Sequence, residues 1–149
     1  MERANSPSLQ AAIQYALGKN IVVVASSGND GLKTLVYPAS IGGVHGVGST
    51  TNADGRSAFS NYGSGVVLLA APGEGVITTY PYGTYAADSG TSFSTPFVSG
   101  TAALLLQAGG RLGLDGRAAA IGYARVLTSN LEHGRLDIFQ ALQSLGDAH

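Results

Sequence analysis

Ser92 lies between a glycine-threonine turn and an apolar run, in the segment Ser89-Gly90-Thr91-Ser92-Phe93-Ser94-Thr95-Pro96-Phe97-Val98-Ser99-Gly100. A serine so placed suits nucleophilic attack. Gly90 lets the backbone turn sharply at no Cβ cost. A helix that starts at or near Ser92 surrounds the hydroxyl with orphan N–H groups and the positive end of the helix dipole. Pro96 is expected in the first turn, where a missing N–H costs little. Phe97, Val98, Ala102, Ala103 and Leu104 to Leu106 are apolar on nearly every face, which predicts a buried helix near 93–108. A bare Gly-Thr-Ser is equally an ordinary helix N-cap, so the triplet alone does not decide.

The second residue with a chemical use is Asn29. It ends the run Ile21-Val22-Val23-Val24-Ala25-Ser26-Ser27-Gly28-Asn29, whose β-branched core reads as a buried parallel strand near 20–26. Before it, Leu9, Ala12, Ile13, Ala16 and Leu17 mark one face of a helix over 7–18, with Ser6 as N-cap and Gly18 as C-cap. Helix, strand, then an amide side chain at the strand's C-terminal end is where an α/β sheet presents functional groups. Taken alone, Asn29 is a turn residue that tolerates an unusual φ.

Together these two segments resemble the nucleophile and oxyanion motifs of the subtilases, the subtilisin-like serine proteases, in the same order and 63 positions apart. Tyr37-Pro38-Ala39-Ser40 followed by Val44-His45-Gly46-Val47-Gly48-Ser49 is similar to the family's Tyr-Pro-Ala turn and next strand. Phe59-Ser60-Asn61-Tyr62-Gly63 resembles its Phe-Ser-Asn-x-Gly loop, and Ala70-Ala71-Pro72-Gly73 its Ala-Pro-Gly strand end. The resemblance is strong over 21–107 and looser outside. It implies a serine endopeptidase with Ser92 as nucleophile. The Asn29 amide and the Ser92 N–H would form the oxyanion hole, and the small residues Ala25, Ser26, Ser27 and Gly28 would lie along the bound peptide. Val36 would floor the pocket. The implied fold is α/β in three layers, a mostly parallel sheet flanked by helices, with strands near 20–26, 44–48, 66–70 and 76–80 and helices near 7–18, 93–108 and 135–145.

The acid and base of such an enzyme are not where the family carries them. A serine nucleophile needs a base for its proton and a carboxylate to orient that base, and in subtilases Asp and His precede Ser in the chain. The residues before Asn29 contain no His and no Asp. His45 falls in a strand, and Asp88 is on the strand that delivers Ser92. His133 and His149 belong to the C-terminal region, so none of these is expected to be catalytic. Residues 1–149 are therefore expected to be one partial catalytic domain, its C-terminal half. A homodimer or a complementing N-terminal half is the expected partner beside a peptide or protein substrate. A non-catalytic protease remnant or interaction module is the alternative.

Composition sets further bounds. Only 11% of residues are charged, against roughly 25% in an average domain, as expected of a buried sheet with tight glycine turns. A net charge of −1 without a basic cluster argues against nucleic acid. No apolar run reaches the roughly 18–20 residues of a membrane span. Residues 1–10 are polar and do not read as a signal peptide, although the resemblance implies an exported full-length protein. The absence of cysteine excludes thiolate metal sites, and three scattered histidines make no zinc site. The resemblance implies calcium held by carbonyls of the Tyr37–Ser40 turn, but no carboxylate cluster accompanies it. The G-x-S-x-G, dinucleotide and P-loop spacings are absent.

Overall fold

The computed structural model describes residues 4–108, 124–125 and 134–146. Helix α1 (Pro7–Gly18) precedes β1 (Val24–Ser26), β2 (His45–Thr50) and β3 (Leu69–Pro72). A hairpin follows, β4 (Val76–Tyr80) and β5 (Thr84–Asp88), and leads into α2 (Thr91–Ala108). The described chain ends with β6 (Ala124–Arg125), β7 (Arg135–Leu136) and α3 (Ile138–Gly146). The main sheet runs β1-β2-β3-β7-β6. Its pairings β1–β2, β2–β3 and β3–β7 are parallel, and β6–β7 is antiparallel. His133 and His149 lie outside the described residues.

The β1 segment shows how sequence makes the layers. Successive side chains of a strand point to opposite faces. Val22 and Val24 pack toward Val47, Leu69, Val98 and Leu105 beneath α2, whereas Val23 and Ala25 pack toward Ile13, Val36 and Val44 on the α1 side. A run of β-branched residues thus fills both cores of a sheet covered on both faces. The three-layer α/β expectation is met.

Four local expectations are corrected. The 76–80 strand is not in the parallel sheet; among the described residues it pairs with β5 alone, from Val76↔Asp88 to Tyr80↔Thr84. The helix starts at Thr91, which puts Pro96 beyond the first turn and deprives the Ser92 carbonyl of an N–H partner. Helix α2 is buried on one side only: Val98 and Leu105 are fully buried, but Phe97, Leu104 and Leu106 are 39–46% exposed. Ser6 stands at the N-cap without a side-chain cap bond, its Oγ instead meeting that of Ser8, and the C-cap is Lys19 rather than Gly18.

Candidate active site

The C-terminal end of β1 and the N-terminus of α2 meet. Gly28 adopts φ 99, which favours glycine, and turns the chain out of the sheet so that Asn29 leaves it. The Asn29 Oδ1 accepts from the Thr91 N–H at 2.9 Å and from the Thr91 Oγ1 hydroxyl at 2.8 Å. Thr91 Oγ1 in turn accepts from the Gly28 N–H at 3.2 Å. Because Oδ1 takes both donors, the Asn29 amide Nδ2 is the side left to donate. It lies over Gly90, where a Cβ would come within 3.2 Å of it.

The turn before Ser92 is pinned from its other flank. Gly90 N–H donates to the Gly73 carbonyl at 2.8 Å, and Gly75 N–H donates to Ser89 Oγ at 3.0 Å. Gly73 itself is enclosed: a Cβ there would overlap Ser94 Oγ and Ser49 Oγ and come within 2.9 Å of the Gly90 carbonyl. Of the first helical N–H groups, that of Thr91 is taken by Asn29 and that of Phe93 by the Gly90 carbonyl. The N–H of Ser92 has no carbonyl four residues back within the helix to bond. Ser92 is exposed in the first turn of an 18-residue helix, where the dipole favours negative charge.

Asn61 organises the loop after Asn29, a task its sequence motif alone did not assign. Fully buried, it accepts at Oδ1 from the N–H groups of Asp30 and Leu32 at 3.1 and 3.0 Å. Its Nδ2 donates to the Ser27 carbonyl at 3.0 Å and to Asp30 Oδ2 at 3.3 Å. For Thr91 the one sequence signal is its position between Gly90 and Ser92.

Among the small residues of this strand end, Ala25, Ser27 and Gly28 are buried and Ser26 is half-buried. Val23 C=O and Ser27 N–H bond to β2, so by strand alternation the backbone of Ser26 faces away from it. Val36 does not floor a pocket. It is 1% exposed and packs with Ile13, Ala25 and Val44 in the core on the α1 side.

His45 is the first residue of β2, opposite Val24 at the start of β1, whereas Asn29 lies beyond that strand's other end. The parallel sheet therefore separates this imidazole from Ser92. Burial lowers its pKa below the ordinary 6.5, and Nδ1 is buried without a partner. Asp88 is exposed and accepts the Ser89 N–H at 2.7 Å. The Tyr37–Ser40 turn offers carbonyls but no carboxylate, and no group of three His, Cys, Asp or Glu side chains converges among the described residues. That donor set does not fit the charge a calcium site needs. No described helix is long and apolar enough to cross a membrane.

Comparison with known proteins places this geometry in a family. The sequence profile of the subtilase family, peptidase S8, matches residues 1–130. Thermitase of Thermoactinomyces vulgaris is 43% identical over 138 residues, covering 91% of this chain and 49% of that protein. Subtilisin BL of Lederbergia lenta is 43% identical over 102 residues, covering 68% of this chain and 38% of that protein. The patellamide maturation protease PatA superposes with a TM-score of 0.87 at 30% identity, covering 98% of this chain and 59% of that one. The chain belongs to the subtilase family. It spans about half or less of the length of these curated relatives.

Proposed function

We propose that this chain is the nucleophile-bearing part of a serine endopeptidase, its C-terminal half-domain, acting on peptide or protein substrates. Ser92 Oγ attacks the scissile carbonyl. The Asn29 Nδ2 and the Ser92 N–H donate to the oxyanion that forms, assisted by the α2 dipole. The observation that carries this reading is the double hydrogen bond from Thr91 to Asn29 Oδ1, which leaves the amide donor free beside the nucleophile turn. The outward backbone of Ser26, with Ala25, Ser27 and Gly28 behind it, supports an extended peptide by strand addition. Calcium is no part of the proposal.

The histidine that takes the Ser92 proton, and the aspartate that orients it, come from a complementing segment of subtilase type. A groove of about 640 Å³ suits its docking. It is lined by Ile21, Val22 and Val24 of the β1 segment and by Ala102, Ala103 and Leu106 of α2. The test is to mix the chain with the Asp- and His-bearing half of a related subtilase and follow hydrolysis of a chromogenic peptide anilide. Turnover that needs both parts and is lost in Ser92→Ala supports the reading; turnover indifferent to Ser92, or none, rejects it. The alternative, a non-catalytic interaction module, is favoured by the placement of His45 away from Ser92. It predicts a bound partner and no hydrolysis in the same mixture.

A further inference from the structure

One buried side chain holds the backbone on both sides of Asn29. Asn61 is fully buried, and its Nδ2 donates to the Ser27 carbonyl at 3.0 Å and to Asp30 Oδ2 at 3.3 Å. Its Oδ1 accepts the N–H groups of Asp30 and Leu32 at 3.1 and 3.0 Å. A primary amide has two donor hydrogens and two acceptor lone pairs, so the segment from Ser27 to Leu32 uses all that this one offers. The Asn61 backbone N–H also donates to the Gly28 carbonyl, at 3.0 Å, and Gly31 N–H donates to the Phe59 carbonyl at 2.7 Å. Asn29 is left exposed between these fixed points, with its Oδ1 on Thr91.

The loop that carries Asn61 is itself fixed to β2. Ser49 N–H donates to Ser60 Oγ at 3.0 Å, and Ser57 N–H donates back to the Ser49 carbonyl at 2.9 Å. Ser60 Oγ donates to the Asn61 carbonyl at 3.0 Å. Arg56 closes the loop from outside: its Nη1 donates to the Ser60 carbonyl at 2.7 Å, and its guanidinium lies 4.5 Å from the Tyr62 ring centre. The amide that ties down residues 27 to 32 thus stands on the sheet. An oxyanion donor works by being aimed before the charge develops, and a displacement of about 1 Å can cost about 10²-fold in rate.

We propose that Asn61 is a positioning residue of the oxyanion hole: by holding the chain on both sides of Asn29 it aims the Asn29 Nδ2, and it acts on the reaction only through that amide. Thr91 fixes which way the amide faces, and Asn61 fixes where the residue stands. The role in the reaction rests on the peptidase reading above. The placement of the Asn29 amide is a property of this chain by itself.

The test joins amide NMR of the chain alone to kinetics of the reconstituted mixture. Asn61→Ala should shift the Asn29 side-chain NH2 pair, and Ile13→Val, in the core on the α1 side, should leave that pair in place. In the mixture, Asn61→Ala should lower kcat about 10- to 100-fold, up to the scale of a misplaced or missing oxyanion donor, with KM unchanged. Where Asn29 is already alanine, Asn61→Ala should lower kcat no further; a merely structural role would add in both backgrounds. Should Asn61→Ala fail to fold, Asn61→Asp carries the test. It keeps the size and the acceptor for both N–H groups but loses the NH2 donors. Its carboxyl, buried beside Asp30, titrates above the usual carboxylate range, and the protonated acid regains one donor. In this variant the Asn29 pair should be displaced at neutral pH and return toward its wild-type position on acidification. An Asn29 pair unmoved in every folded variant, a rise in KM at constant kcat, or a kcat loss that persists in the Asn29→Ala background overturns the proposal. A displaced Asn29 pair without turnover in the wild-type mixture supports the placement and rejects the peptidase reading.

Discussion

Asn29 and Thr91, 62 positions apart, are joined by two hydrogen bonds to one oxygen: the Thr91 N–H and hydroxyl both donate to Asn29 Oδ1, at 2.9 and 2.8 Å. The pair fixes which way the amide faces. It also makes the end of a strand and the start of a helix into one unit, with Thr91 fully buried between them. Thr91→Val keeps the volume but removes a donor to Asn29 and the acceptor of the Gly28 N–H. Leaving that buried N–H unpaired should cost about 1–3 kcal/mol. Urea unfolding should show a lower midpoint with an unchanged slope, and Thr91→Ser should recover most of the loss.

On its own the chain should turn over peptide esters negligibly, and Ser92→Ala should change nothing. An alcohol without a base is a weak nucleophile at neutral pH; in a subtilisin, loss of the catalytic histidine costs about 10⁶ in kcat. In the reconstituted mixture, Asn29→Ala should lower kcat by about 10²–10³, the scale known from removing one oxyanion donor in a subtilisin, with little change in KM. An equal rise in KM at constant kcat would move Asn29 from transition-state to ground-state binding.

His45 sets an acid limit on stability. Burial disfavours its charged form, so its pKa in the folded chain lies below the 6.5 of the unfolded chain. Below pH 6.5 the unfolded state binds more protons than the folded one, and stability falls with falling pH. The loss ends once pH passes below the folded pKa. Urea midpoints measured between pH 7.5 and 5 should therefore decline, and His45→Gln should flatten that decline. A midpoint that rises on acidification would show that the imidazolium has a partner.

Gly73→Ala tests the flank of the nucleophile turn. The new methyl overlaps Ser94 Oγ and Ser49 Oγ and presses on the Gly90 carbonyl at 2.9 Å. Overpacking of this kind costs about 1–3 kcal/mol. The strain is borne by the Gly90 turn, so amide NMR shifts should move at Gly90 to Phe93 more than in β2. Unchanged stability and shifts would mean that this region is looser than the contacts indicate.

The main elements were legible because their signals are local. The run from Ile21 to Ala25 and the 3.6-residue spacing in α1 each have one physical solution, and the Gly90-to-Ser92 turn marks the helix start to within two residues. The misses are tertiary. The 20–26 strand begins only at Val24 because its partner β2 starts at His45. Val66 and Val67 read as strand, but both their N–H groups turn back to the Gly63 carbonyl before β3 begins at Leu69. Val76 to Tyr80 reads like any other β-branched strand; nothing in its pattern says that it pairs with β5 and not with the sheet. Within the site, Ser92 and Asn29 were visible from motif order, whereas Asn61 and Thr91 act through bonds to residues 29 to 34 and 62 to 63 positions away.

The apolar face left open along α2 and the β1 segment should make the chain associate in water. Leu104 and Leu106 are 46% and 40% exposed on the helix, Ile21 is 55% exposed across the groove, and among the described residues β1 is an edge strand of the main sheet. Exposed apolar surface beside an unpaired strand edge favours docking of a second chain. A net charge of −1 supplies little repulsion against it. Light scattering over a hundredfold range of concentration should show an apparent mass that rises above the monomer. Leu106→Lys and Ile21→Lys introduce two like charges into the groove and should shift the chain toward monomer, and adding the complementing half should do the same to self-association by occupying that surface. A wild-type chain that stays a monomer throughout, with one cooperative unfolding transition, would show that this face is stable in water and would remove the argument that it awaits a partner.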